Sequence, residues 1–248
     1  MAATAGECAM TNAEIIATTL DGLLDHEVRL VVYGRAALAL GFDDVPEAVG
    51  RSLDLDVILP FSEAARIEAD DQFWDAQQRL NSVLESRGLY LTHMFQEDQV
   101  FLRPDWERHI KPVLRPRTRW LKLFRPDTVD LVLTKMMRGD DAQDMEDIQF
   151  LVQHDGLTVE DLEPAFASAR IPDMEEFRGS FQTALKTVRR IVAGDLKVVC
   201  LKINFRLGGL DFRRATWGKH AMVAAKGKSV ACFERIGTLA VHEIPALW

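Results

Sequence analysis

Two neighbouring stretches decide the fold: Val28-Arg29-Leu30-Val31-Val32-Tyr33-Gly34-Arg35-Ala36-Ala37-Leu38-Ala39-Leu40-Gly41, and Leu53-Asp54-Leu55-Asp56-Val57-Ile58-Leu59-Pro60. The first is short and β-branched up to Gly34, then rich in Ala and Leu up to Gly41, which reads as strand, tight turn, helix. The second alternates apolar and acidic residues until Pro60 stops it, which reads as a strand with both aspartates on one face. Asp54 lies twenty positions after Gly34. A glycine at a strand-to-helix turn lets backbone amides approach a polyphosphate at the positive end of the helix. Carboxylates at i and i+2 of a strand point the same way, so together they suit Mg²⁺, which takes carboxylate oxygens and substrate phosphates. The plainer reading of a D-x-D pair is two polar residues on the solvent face of a half-buried strand.

Working outward, Ile15, Ile16, Thr19, Leu20, Leu23 and Leu24 recur at helical spacing behind Thr11 and Asn12, either of which can cap a first helix. After Pro60, Ser62 is expected to cap a long helix to about Arg87, ended by Gly88. Leu89–Phe95 and Gln99–Leu102 read as a strand pair around a Gln96-Glu97-Asp98 loop, and Trp120–Phe124 as a further strand. Pro126 is expected to open a helix that stops near Gly139. Met145, Ile148, Leu151 and Val152 mark another, and Phe177 to Val192 a longer one. The fold class is therefore α/β (α+β): a small mixed sheet packed on helices, divided as a core over 1–125, a helical region over 126–195 and a basic tail over 196–248.

The chain has 248 residues, 30 basic and 38 acidic side chains for a formal charge of −8, and 48% hydrophobic residues, an ordinary globular composition. Cys8, Cys200 and Cys232 are odd in number and far apart, so neither a disulfide framework nor a zinc knuckle is expected. The first ten residues lack a basic leader and no apolar run approaches the roughly 20 residues of a membrane span, so a cytoplasmic protein without a membrane anchor is expected. Residues 103–125 hold eight basic against two acidic side chains, and the tail from 197 holds nine against three. A charge run of this kind is a solvated face by default, and the overall −8 argues against a general nucleic-acid coat. There is no HExxH, GxSxG, GxxxxGK or GxGxxG, which removes zinc protease, α/β-hydrolase, P-loop and dinucleotide-binding readings.

The run Val31 to Leu38 followed by Arg51 to Val57 resembles the signature of the polymerase-beta-like nucleotidyltransferase superfamily, in which a G-[GS] turn precedes an acidic h-[DE]-h-[DE]-h strand. Asp130-Leu131-Val132-Leu133-Thr134-Lys135 with Asp144-Met145-Glu146-Asp147-Ile148 looks like the pattern of AbiEii-like and related bacterial nucleotidyltransferases. The resemblance implies Gly34 at the phosphate-binding turn, Asp54 and Asp56 as catalytic Mg²⁺ ligands, and Arg35, Ser52 and Lys135 as nucleotide contacts. Arg35 stands where the pattern has Ser or Gly, so a long cation either binds phosphate or fills the site. The superfamily's third carboxylate falls best on Glu97, with Asp98 next. The competing reading makes both exposed turn residues, and His93 a structural histidine. Lys135, Asp144 and Asp147 read either as a nucleotide-binding cation with its orienting acids or as a helix–helix ion pair. The implied activity is Mg²⁺-dependent transfer of a nucleoside monophosphate from an NTP to a hydroxyl on RNA, protein or a small molecule. The rival is a degenerate binding module of the same fold, one protein partner of a toxin–antitoxin or phage-defence pair.

Overall fold

The computed structural model describes residues 10–50, 52–91 and 94–196, and, in the tail, the backbone of residues 206–207, 210–217, 220–225, 228–235 and 238–243. His93, Cys8 and Cys200 lie outside the described residues. α1 (Asn12–Asp21) is capped by Thr11, which accepts from the Glu14 amide while the Glu14 carboxylate accepts from the Thr11 amide, a reciprocal capping box. α1 leads to β1 (Val28–Tyr33) and, directly from it, to α2 (Gly34–Gly41). A short α3 (Glu47–Gly50) precedes β2 (Asp56–Leu59). β2 is shorter than the sequence implies, because Asp54 makes only a single parallel bridge, to Tyr90.

The long helix expected behind Ser62 is instead two helices, α4 (Phe61–Glu68) and α5 (Asp71–Leu84). Asp70 breaks the run and caps α5 by accepting from the Phe73 amide, while Ser62 lies inside α4 and bonds Glu107. Gly88 does end this segment, in the left-handed region at φ 64°. The expected hairpin around 96–98 does not form. β3 (Met94–Gln96) pairs parallel to β2, residues 97–99 make a 3-10 turn, and Leu102 bridges Arg170. β4 (Lys111–Pro112) and β5 (Leu121–Arg125) complete the first sheet in the order β3-β2-β1-β5-β4. β1 runs antiparallel to β2 and parallel to β5, so β1, the strand that ends at Gly34, is central.

The helices follow: α6 (Thr128–Lys135), α7 (Ala142–Asp155), α8 (Val159–Ser168) and α9 (Glu175–Val192). Asp127, not Pro126, caps α6. α8, which carries Pro164 inside it, has no counterpart in the sequence reading. In the tail, β6 (Arg206–Leu207), β7 (Leu210–Trp217), β8 (His220–Ala225), β9 (Lys228–Arg235) and β10 (Thr238–Glu243) pair antiparallel in consecutive order as a second sheet. Among the described residues no helix is long and apolar enough to cross a membrane.

One large apolar core joins α1, β1, α2 and β5 to α6, α7 and α9, with Ile16, Leu20, Leu30, Leu38, Leu133 and Ile148 among its buried members. The basic run 103–125 is divided: Arg108, Lys111, Arg117 and Arg119 are exposed, while Arg125 is buried. Arg103 is held by Asp127 and Asp130, and Arg115 donates to the Phe42 carbonyl. The Arg119 guanidinium lies over Trp120, and the buried Arg125 guanidinium lies 4.1 Å from the Phe42 ring centroid. Trp106 is a core anchor, 1% exposed.

His26 ties the chain before β1 to the start of α5, with Nδ1 2.9 Å from Asp25 and Nε2 2.8 Å from Asp70. Hydrogen bonds to Asp25 and then Asp70 raise its pKa above the ordinary 6.5. Burial pushes Asp70 up, but the His26 bond and the Phe73 amide outweigh it, and the carboxyl sits below its ordinary 3.8. A raised histidine stabilises fully below about 6.5 and loses that contribution as pH rises through its folded value. A depressed carboxyl loses its contribution as pH falls below its unfolded range. Thermal stability is therefore expected to decline as pH rises from 6 to 8, and His26→Asn to flatten that slope. A slope unchanged in the variant would remove His26 as its source.

Candidate functional site

Gly34 is the first residue of α2 and adopts φ +64°, a conformation L side chains rarely take. A Cβ added there would lie 3.3 Å from Asp56 Oδ2, so the backbone favours glycine and a side chain would also press on the carboxylate. Tyr33, at the N-cap, makes no capping hydrogen bond, so the first amides of α2 are not satisfied by a cap side chain. Gly34→Ala is expected to combine left-handed strain, about 1–2 kcal/mol, with displacement of Asp56. Circular dichroism melts alongside nucleotide binding test this, and loss of both together is the expected result.

Asp54 and Asp56 open onto the same cleft as Gly34, a volume of about 870 Å³ between the β1–α2 turn, β2 and the α6–α7 junction. Ser52 also lines it, and its hydroxyl donates to the Asp54 carbonyl at 2.7 Å and lies 3.2 Å from Asp54 Oδ1. Tyr33 and Phe95 line the cleft with their rings edge to face, centroids 6.0 Å apart. Burial, then the charges of Asp56 and Asp54, push the Tyr33 hydroxyl far above its ordinary pKa, so it stays protonated at any physiological pH.

The opposite wall is a buried ion network. Lys135, at the end of α6, bonds Asp147 at 2.6 Å and Asp144 at 3.2 Å. Arg35 grips Asp147 with two bonds, Nε at 3.1 Å and a terminal nitrogen at 2.8 Å. Arg138 bonds Asp144 at 2.6 Å, and that bond, with neighbouring carboxylates, holds its pKa up against burial. Asp147 is fully buried, and the Arg35, Lys135 and Asp144 side chains are less than a tenth exposed. Both sequence readings of Lys135 thus meet in one place: it is an ion-pair member and it lines the cleft. Arg35 lines the cleft too, with its guanidinium turned to α7.

Glu97 is placed elsewhere. Its buried carboxylate accepts from Trp106 Nε1 at 2.6 Å and lies 3.8 Å from Arg170, and it is not among the residues lining the cleft. Asp98 is exposed beside it on the 3-10 turn. Among the described residues no group of three or more His, Cys, Asp or Glu side chains gathers as a metal site. The pair Asp54 and Asp56 still fits Mg²⁺ in donor chemistry: hard oxygens, open to a cleft, with the remaining positions left to water and phosphate oxygens. The sequence reading missed Asn12, Thr134, Arg138 and Gln143, which also line the cleft. Arg138 and Gln143 flank the Lys135 and Asp144 motif, which is the one signal that pointed to them.

A left-handed glycine joins the central strand to a helix, and Asp56 at the start of the antiparallel neighbour opens onto the same cleft with Asp54 two residues before it, the arrangement that the resemblance to nucleotidyltransferases implies. The chain belongs to the family described as nucleotidyltransferase of unknown function (DUF6036), whose model matches residues 13–183. That match takes in both aspartates, Gly34 and the whole ion network, and stops before the second sheet. No curated protein and no solved structure matches the chain.

Proposed function

We propose that the protein transfers a nucleoside monophosphate from an NTP to a hydroxyl acceptor in the presence of Mg²⁺. The observation that carries this is the meeting in one cleft of an α2 start without a side-chain cap, Gly34 in the left-handed region, and the Asp54 and Asp56 carboxylates. Asp54 and Asp56 would hold the ion, which supplies charge stabilisation at the phosphates. The α2 amides would take phosphate oxygens, as helix starts do. Lys135 and Arg138, already ordered by Asp144 and Asp147, would present positive charge to the triphosphate from the other wall without reorganising. Ser52 fixes the rotamer of Asp54.

A second reading has specific support. Arg35 is committed to Asp147, and no third carboxylate joins the aspartate pair among the described residues, which suits a module that binds nucleotide or a protein partner without transfer. A toxin–antitoxin or phage-defence setting belongs to this reading. Each α-³²P-labelled NTP, incubated with Mg²⁺ and a cell extract, separates the two. Transfer predicts label in an acceptor fraction with the native protein and none with Asp54→Asn. Equal labelling by both proteins, or none by either, supports the degenerate module.

A further inference from the structure

A second cleft, about 880 Å³, adjoins the first and shares two of its walls, Phe95 and Met137. Ala169, Ile171, Pro172, Met174 and Phe177 supply the rest of its apolar surface, between the 3-10 turn after β3 and the start of α9. The size and the mostly apolar lining suit a small molecule. Its polar groups are few. Arg170 faces Glu97 at 3.8 Å, Asp173 pairs with Arg178, and Asp98 adds an exposed carboxylate. Among the described residues Arg170 is the only cation in this lining, and it already faces a buried carboxylate, while two carboxylates stand at the rim. RNA binds through its phosphates and requires cations placed for them, so this rim disfavours an RNA end.

Resting on the nucleotidyl-transfer reading, we infer that this cleft holds the acceptor, a small molecule with an apolar body and a hydroxyl, neutral or cationic. Its body lies against Met174, Ile171 and Phe177, and its hydroxyl reaches past Phe95 and Met137 toward Asp54 and Asp56. In the step, the hydroxyl oxygen forms a bond to the α-phosphorus and the α–β phosphoanhydride bond breaks. Pyrophosphate leaves and the hydroxyl proton passes to water.

Met174 is the residue to change. It is 52% exposed and stands at the N-cap of α9, where it makes no capping bond, so Met174→Asp adds a favoured cap while placing a carboxylate in the apolar cleft. The neutral fluorophore N-phenyl-1-naphthylamine probes the cleft. Enhanced fluorescence is expected with the native protein, Asp54→Asn and Met174→Leu, with affinity at least tenfold weaker in Met174→Asp and no displacement by a twelve-nucleotide RNA. With α-³²P-labelled NTPs and Mg²⁺, label is expected on 2-phenylethanol or tyramine and not on the RNA, with the native protein and with neither Asp54→Asn nor Met174→Asp. Unchanged fluorophore binding in Met174→Asp, displacement by RNA, or label on RNA overturns the inference. So does absence of label on either alcohol while an acceptor in the cell extract is labelled; NTP binding with label on no acceptor points to the degenerate module. Failure of NTP binding itself overturns the transfer reading instead, and the fluorophore arm reports on the cleft independently of it.

Discussion

Asp147→Asn is expected to destabilise the protein by about 3–5 kcal/mol, the cost of leaving buried charges without their counter-ion. The carboxylate is fully buried and receives two bonds from Arg35 and one from Lys135, so its loss strands two cations against Asp144 and the partly buried Glu146. The network joins α2 to α6 and α7, and α2 begins at Gly34, so the variant should lose the geometry of the cleft along with stability. Urea unfolding of Asp147→Asn, Arg35→Met and the double variant measures the coupling. The double variant is expected to be less damaged than the two single effects summed, because it removes one stranded charge. Additive effects would mean that Arg35 and Asp147 act independently.

Asp56→Asn is expected to leave the melting temperature near that of the native protein and to reduce Mg²⁺-dependent transfer by about a thousandfold or more. The side chain keeps its shape beside Gly34, while the proposed Mg²⁺ site would lose one of its two charges and with it several kcal/mol of charge stabilisation at the phosphates. Steady-state rates with the labelled NTP measure this, and activity within tenfold of native would place the ion elsewhere.

The strand, glycine and helix were legible because each depends on local chemistry. Six largely β-branched or leucine residues, one residue needing φ +64° and an Ala/Leu run leave few alternatives. The D-x-D strand was legible for the same reason, though only Asp56 proved to lie inside β2. What was not legible depended on partners far away in sequence. Glu97 looks like a turn residue or a third acid until Trp106 and Arg170 close over it. The hairpin failed because the strand after Gly88 finds β2 and not its own neighbour. Arg35 read as an ambiguous cation, since Asp147, 112 residues away, decides its direction. The split of the long helix was written in Asp70, whose capping role competes with continuing the helix.

The central claim is that Gly34, Asp54 and Asp56 form a Mg²⁺-dependent nucleotide site. Thermal unfolding with each of the four NTPs, with and without Mg²⁺, tests it most directly on the native protein and on the Asp54→Asn/Asp56→Asn double variant. A ligand that binds only the folded state at a hundredfold excess over Kd adds about 2.7 kcal/mol, a shift of roughly 5–10 °C for a chain of this size. A shift of that order with at least one NTP, requiring Mg²⁺ and lost in the double variant, is the result the account predicts. No shift with any NTP, or an equal shift in the double variant, would contradict it.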